Sequence, residues 1–207
     1  MPQTSQAYLI VDCGAGAVGP DAMVGAIRRS QAASVLLQSP AGFVASQPAL
    51  AHLVQAAQST GCAALIAGDV QLALDLGADG LHLGHDEDLS RAEQAYGAAR
   101  ASLGAGRIVG VSAGLSRHNA MVLAELGADY IALGGEAGDD VAEQLAMVTW
   151  WAEMFSVPCV AWNVADRERA ALLVAAGADF VASDPLIGLE PAVALLAGLG
   201  KFNEASR

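Results

Sequence analysis

The chain has 207 residues, a mass of 20.9 kDa and 54% apolar residues, which is enough for one domain with a sizeable core and excludes a disordered chain. Its 10 basic and 22 acidic residues give a net charge of -12, which disfavours binding to nucleic acids and anionic membranes. No run of about 18 apolar residues is present, so no membrane-spanning helix is predicted.

Eight short apolar segments predict strands that begin near positions 8, 34, 62, 80, 107, 130, 158 and 180. Helical patterns fill the gaps, at roughly 20–31, 47–59, 69–76, 90–102, 116–126, 140–155, 166–176 and 189–198. Strict alternation of strand and helix predicts an α/β fold, a single (β/α)8 TIM barrel that occupies residues 1–207 as one domain. An open doubly wound sheet is the alternative, but it needs fewer strands and a clearer glycine fingerprint after the first strand.

An internal repeat supports the barrel. The segments GADGLHLG, GADYIALG and GADFVASD begin at Gly77, Gly127 and Gly177, so they are spaced 50 residues apart. Each copy follows a helical pattern and precedes an apolar run, which predicts a helix, a glycine cap, a turn and a strand. The aspartate of each copy precedes a strand and is predicted to stabilise the turn at the amino-terminal face: Asp79, Asp129 and Asp179.

Cysteine and lysine content excludes further classes. Cys13, Cys62 and Cys159 are widely spaced and form no CxxC pair, so neither a disulfide framework nor a structural zinc site is expected. Reduced thiols and the short segment before the first apolar run predict a cytoplasmic protein without a signal peptide. The only lysine is Lys201, so Schiff-base chemistry is not expected.

Active sites of barrels lie at the carboxyl ends of the strands, and here those ends are strongly acidic. Arg117 and Arg167 are the only basic side chains expected to reach this rim. The balance favours a divalent cation or a cationic ligand over a bare phosphate. Asp12 and Asp184 are expected to lie close together, because strands 1 and 8 are neighbours in a closed barrel. The acidic side chains predicted at the rim are Asp12, Asp86, Asp88, Glu136 and Asp184.

The segment from His82 to Asp88 is the densest polar cluster. Asp86 and Asp88 could hold Mg²⁺ through their carboxylates. The alternative is that the acids cap the helix that begins near Ser90, where negative charge favours the helix dipole. His82, in the middle of a strand, is predicted to be a buried histidine with a satisfied hydrogen bond rather than a catalytic one. Of the pair Trp150 and Trp151, one is expected to pack inward, and the other could contact a second subunit in a homodimer.

These segments resemble a known family. GADGLHLGHDEDL is similar to the GADGVHLGQEDLP segment of thiamin phosphate synthases, residues 108–113 to their IIGVSAHT strand, and AYLIVD to their LYLITD opening. The family includes thiazole tautomerases, which have a histidine after strand 5. The corresponding position here is near Gly114, so tautomerase activity is not expected. The resemblance implies a barrel that joins an aminopyrimidine diphosphate to a thiazole phosphate with Mg²⁺ as cofactor.

The sequence departs from the family where phosphate is bound. The QLREK segment after strand 2 reads Leu36 to Pro40, the NDR segment after strand 3 reads Ala67 to Asp69, and the lysine-containing PTxTK loop after strand 6 is shortened and has no lysine. The paired glycines after strand 7 become Trp162-Asn163, and a Val-Ser pair at strand 8 becomes Asp184-Pro185. Because acids stand where the family has cations, we expect ordinary synthase turnover to be lost.

Three interpretations stay open: a divergent synthase-like barrel without ordinary turnover, an active synthase, and a non-catalytic or repurposed barrel that binds a cationic or metal-bound small molecule. A small-molecule partner is expected rather than nucleic acid or membrane, and a non-catalytic barrel could bind a protein partner instead. The candidate ligand-binding residues are His82, His85, Ser112, Arg117, Asn163 and Asp184, and the candidate metal ligands are Asp86 and Asp88.

Overall fold

The computed structural model describes residues 4–14, 18–39, 46–135 and 140–199. In it, eight parallel strands close into a barrel in chain order, and β8 pairs with β1. The strands are β1 (Gln6–Asp12), β2 (Ala32–Gln38), β3 (Ala63–Ala67), β4 (Gly80–Leu83), β5 (Ile108–Gly114), β6 (Tyr130–Leu133), β7 (Cys159–Val164) and β8 (Phe180–Ser183). The predicted TIM barrel is confirmed, and the open sheet is excluded.

One helix follows each strand, within a few residues of the predicted bounds. The helices are α1 (Pro20–Ser30), α2 (Gln47–Gln58), α3 (Val70–Asp75), α4 (Leu89–Leu103), α5 (Arg117–Glu125), α6 (Val141–Met154), α7 (Arg167–Ala175) and α8 (Leu189–Leu196). Side-chain caps set several of the starts: Asp69, Ser116 and Asp166 each accept a hydrogen bond from the backbone N–H three residues ahead. None of the helices in the described ranges is long and apolar enough to cross a membrane.

The repeat aspartates join neighbouring strands at the amino-terminal face. The carboxylate of Asp79 accepts the backbone N–H of Ala64 at 2.8 Å. Asp129 and Asp179 do the same, each at 2.7 Å, for the strand residues Val109 and Cys159. Each repeat therefore closes the start of the preceding strand, as the sequence predicts for these turns.

The barrel interior is filled by side chains rather than open. Tyr8 and Tyr130 meet at its centre, among the aliphatic side chains of Leu36, Leu65 and Val160. The larger apolar core lies between the strands and the surrounding helices, where Trp151 is fully buried, as predicted for one of the two tryptophans. A plug of this kind closes the barrel below its mouth, so the polar groups of a site can lie only at the ends.

Candidate functional site

A cavity of about 470 Å³ lies at the mouth of the barrel, at the carboxyl ends of the strands. It is lined by Leu36, Gln38, Ala67, Gly68, His82, Gly84, His85, Ser112, Gly134, Gly135, Trp162 and Asn163. Two irregularities in the strand pairing, between Ser112 and Gly114 and between Ala161 and Val164, fall at this mouth. Bulges beside active sites turn side chains toward the site, as they do here for Trp162 and Asn163.

A larger cleft of about 590 Å³ lies at the opposite, amino-terminal face. Its polar side chains are used in structural contacts: Gln58 donates to the carbonyl of Gly77, Arg107 donates to that of Ala78, and Asp79 joins two strands. We therefore place the candidate site at the mouth, where polar groups face open space.

Four of the predicted ligand-binding residues meet in the mouth cavity: His82, His85, Ser112 and Asn163. The ring of His85 lies against Gly114, where an added Cβ would come within 3.0 Å of the imidazole. The mouth therefore needs glycine at this position for two reasons, because Gly114 also has a φ of 59°.

The floor of the cavity is aromatic. The rings of His82 and Trp162 are stacked with centroids 4.3 Å apart, and Nδ1 of His82 lies 2.9 Å from the hydroxyl of Tyr130. Burial lowers the pKa of His82 to about 3, so the ring is neutral at physiological pH. His82 is thus the buried, hydrogen-bonded histidine that the sequence predicts, and it also lines the cavity.

Asn163 lies near the end of β7, where the family has paired glycines. Its φ of 53° is a left-handed conformation that glycine or asparagine adopts readily. Its side chain donates to the carbonyl of Gly135 at 2.6 Å, which joins the ends of β6 and β7. The side chain is therefore partly committed to holding the rim.

Arg117, predicted to reach the rim, lies instead over the ring of Trp150, 4.8 Å from its centroid. This contact holds the guanidinium on the helical layer. Arg169, which no sequence pattern singles out, donates to Gln144, and the buried amide of Gln144 donates to the carbonyls of Leu133 and Trp162. Arg169 thus contacts the mouth through Gln144.

Asp88 caps α4, the alternative that the sequence left open, and Asp86 binds the residues around this cap. Asp88 accepts from the backbone N–H of Ser90, and Asp86 accepts from that of Asp88. Both oxygens of Asp86 also accept from Arg91, at 2.7 and 2.9 Å. Hydrogen bonds from Arg91 and Asp88 lower the pKa of Asp86 to about 2.

These carboxylates do not fit a magnesium site as arranged, because Arg91 and the helix N–H groups already occupy their oxygens. Asp69, in the segment that matches the family's NDR segment, likewise caps its helix, α3. Across the described ranges, no three His, Cys, Asp or Glu side chains are grouped so that they could hold a metal ion. Mg²⁺ binding at the mouth stays a prediction.

Asp184 is buried and accepts the backbone N–H of Leu186 at 2.7 Å, which caps a 3₁₀ turn (Pro185–Ile187) before α8. Tyr8 of β1 pairs with Ala182 of β8, so Asp184 is level with Ile10 and two residues below Asp12. Asp12 accepts from the N–H of Gly14. Each of the two acids expected to face one another therefore binds its own loop. Glu136 lies outside the described residues.

Comparison with known proteins shows which family the chain matches. The family model described as thiamine monophosphate synthase matches residues 8–184. The thiamine-phosphate synthase of Rhodospirillum centenum is 44% identical over 116 residues, which are 54% of this chain and 53% of that protein. The thiamine-phosphate synthase of Hyphomonas neptunium is 38% identical over 143 residues, 67% of this chain and 62% of that protein. The chain thus matches between about half and just under two thirds of the length of these relatives.

Solved structures share the fold at low identity. A thiamine phosphate pyrophosphorylase from Pyrococcus furiosus superposes with a TM-score of 0.71 at 20% identity and covers 99% of this chain and 98% of its own. A mutant tryptophan synthase alpha-subunit from the same organism gives a TM-score of 0.69 at 14% identity, with coverage of 99% and 98%. Because barrels of different activity fit almost equally well, these likenesses establish the architecture alone.

Proposed function

Since the chain belongs to the thiamine monophosphate synthase family, we propose that its mouth cavity binds a thiamine-related aromatic heterocycle and that ordinary synthase turnover is lost. One observation carries the proposal: none of the described residues that line the cavity is an arginine or a lysine. Among the undescribed segments, 15–17, 40–45 and 136–139 contain no arginine or lysine, whereas 200–207 contains Lys201 and Arg207.

The reaction of the family needs positive charge at this place. A diphosphate carries about three negative charges, which require guanidinium or ammonium groups, a metal, or several backbone N–H groups. Three arginines of the surrounding helices have other partners: Arg91 binds Asp86, Arg117 lies over Trp150, and Arg169 donates to Gln144. Arg167, also expected at the rim, lies with its guanidinium beside Gly198. The N–H of Leu186 at the end of β8 is also taken, because Asp184 accepts from it.

The cavity retains groups that suit an aromatic ring. The stacked rings of His82 and Trp162 form the aromatic floor of the cavity, and Gln38, Ser112 and Asn163 add uncharged polar groups. Pockets that combine an aromatic wall with a few polar groups are typical of small-molecule sites. The acidic net charge of the chain favours a neutral or cationic ring over a phosphorylated one.

A direct assay separates this proposal from an active synthase. Purified protein is given the aminopyrimidine diphosphate, the thiazole phosphate and Mg²⁺, and thiamine phosphate is quantified over time. We expect little product. Turnover on the order of 1 s⁻¹ or more, in the range of ordinary enzymes, would contradict the proposal and would mean that metal or backbone groups replace the missing cations.

A gain-of-charge variant tests the reason for the loss. Gln38 lines the cavity at the position that matches the arginine of the QLREK segment, so Gln38→Arg restores one guanidinium. A charged hydrogen bond is worth about 1.5–3 kcal/mol, so inorganic pyrophosphate should bind at least about tenfold more tightly by calorimetry. Gln55→Arg, on the exposed face of α2, is the matched control and should leave pyrophosphate binding unchanged. Equal gains from both variants would show that net charge, not the site, sets the affinity.

A further inference from the structure

A chain of three side chains crosses the barrel interior beneath the mouth cavity. The hydroxyl of Tyr8, from β1, lies 2.9 Å from that of Tyr130, from β6, and this hydroxyl lies 2.9 Å from Nδ1 of His82, from β4. The exposed fractions are 1%, 6% and 3%. Because each group can donate or accept, the two hydrogen bonds can run in either direction along the chain.

Counting donors decides the direction. If His82 donated from Nδ1 to Tyr130, then Tyr130 would donate to Tyr8, and the O–H of Tyr8 would have no acceptor among the described residues. A buried O–H without an acceptor is costly in apolar surroundings. If Tyr8 donates to Tyr130 and Tyr130 donates to Nδ1, both hydroxyl protons have an acceptor.

The second direction fixes the remaining proton of the imidazole. His82 lines the mouth cavity, and its Nε2 has no hydrogen-bond partner in the part of the chain that the structure describes. Within that part, every fully buried side-chain nitrogen or oxygen has a partner, so Nε2 is open to the cavity. With Nδ1 acting as an acceptor, the proton of a neutral ring is on Nε2.

We infer that Tyr8 and Tyr130 hold His82 in its Nε2–H tautomer, so that the cavity floor presents a hydrogen-bond donor and selects ligands with an acceptor at that point. The selectivity rests on the proposed function, because it takes the mouth as the ligand site; the tautomer does not. An unprotonated ring nitrogen or a carbonyl oxygen meets the requirement. A ligand that presents only N–H or C–H there does not.

The tautomer is measured on the ligand-free protein. Long-range ¹H–¹⁵N correlation spectra of histidine-labelled protein distinguish a protonated from an unprotonated ring nitrogen, and His82→Gln identifies the signals of His82. We expect Nε2 to be protonated and Nδ1 to be unprotonated. In Tyr130→Phe the preference should weaken toward a mixture of tautomers. Tyr8→Phe is the matched control: it removes the same group, but the O–H of Tyr130 then has only Nδ1 to donate to, so the tautomer should persist.

A protonated Nδ1 in the wild-type protein would overturn the inference, even if neither variant folds. An unchanged tautomer in folded Tyr130→Phe would also overturn it, because the hydroxyl chain would then not set the proton position.

The ligand requirement is tested with two probes of one shape, 4-aminopyrimidine and aniline, which differ in their ring nitrogens. One hydrogen bond is worth about 1 kcal/mol, so the pyrimidine should bind about fivefold more tightly in competition NMR. Equal affinities would refute the selectivity. Binding of neither probe, together with the expected tautomer, would count against the proposed function and leave the tautomer assignment standing.

Discussion

Gly110 lies beneath the ring of Tyr130 so closely that an added Cβ would fall 1.9 Å from the ring carbon Cζ. The position of Tyr130, and with it the hydrogen bond to His82, thus depends on the absence of a side chain at Gly110 on the neighbouring strand, β5. Such dependence is invisible in the sequence, where Gly110 is one glycine in an apolar run. The same holds for Tyr8, which is 122 residues from Tyr130 along the chain.

Gly110→Ala should therefore destabilise the barrel by about 1–3 kcal/mol, the usual cost of overpacking a core. Gly97→Ala is the matched control, because Gly97 is in the middle of α4 and an added Cβ meets nothing within 4 Å. That change should stabilise the protein by up to about 1 kcal/mol, the helix propensity of alanine over glycine. Urea unfolding of both variants measures the difference. A Gly110→Ala protein as stable as the wild type would mean that Tyr130 moves aside without cost.

At the scale of elements, the sequence predicts the barrel well because its determinants are local. Strands buried on both faces read as continuous apolar runs, and the helix starts carry their own caps, as at Asp69 and Asp166. The 3₁₀ turn Pro185–Ile187 is not predicted, since Asp184 reads as a free acid until its bond to Leu186 is seen. The other acids of the rim are equally hard to interpret, because the sequence does not show which carboxylates cap a helix or turn and which face the mouth.

The start of α4 offers a test of this capping. A carboxyl pKa lowered by a partner means that the ion pair stabilises the fold above the usual Asp value of about 3.9 and loses this effect as the pH falls toward about 2. Arg91→Gln removes the main cause, so the pKa of Asp86 should rise toward its ordinary value. ¹³C carboxyl NMR between about pH 6 and about pH 2.5 follows the titration. Arg28→Gln, an equal change of charge on exposed α1, should leave the pKa of Asp86 where it is. A pKa of Asp86 that stays low in Arg91→Gln would show that the backbone N–H of Asp88 is enough to hold this carboxylate ionised.

At the scale of the whole molecule, the net charge of -12 acts on every ligand that approaches the mouth. A negative potential raises the local concentration of cations and lowers that of anions, and salt screens both effects over a Debye length of about 8–10 Å at physiological ionic strength. The absence of arginine and lysine from the described residues that line the cavity and the excess of acids over the whole chain would act in the same direction, against diphosphate and in favour of a neutral or positively charged ring.

The ionic-strength dependence of binding separates this general field from the local site. Raising NaCl from about 20 mM to about 300 mM should weaken the binding of thiamine, whose thiazolium ring is cationic, by severalfold, because screening removes the attraction. The neutral aminopyrimidine alcohol should bind with nearly the same affinity at both concentrations, since its contacts are stacking and hydrogen bonds. Inorganic pyrophosphate should show the opposite trend, with its weak binding strengthened by salt. Pyrophosphate binding that weakens with salt would mean that a cluster of cations dominates the mouth despite the net charge. In that case the mouth could hold a diphosphate, and ordinary synthase turnover would be expected.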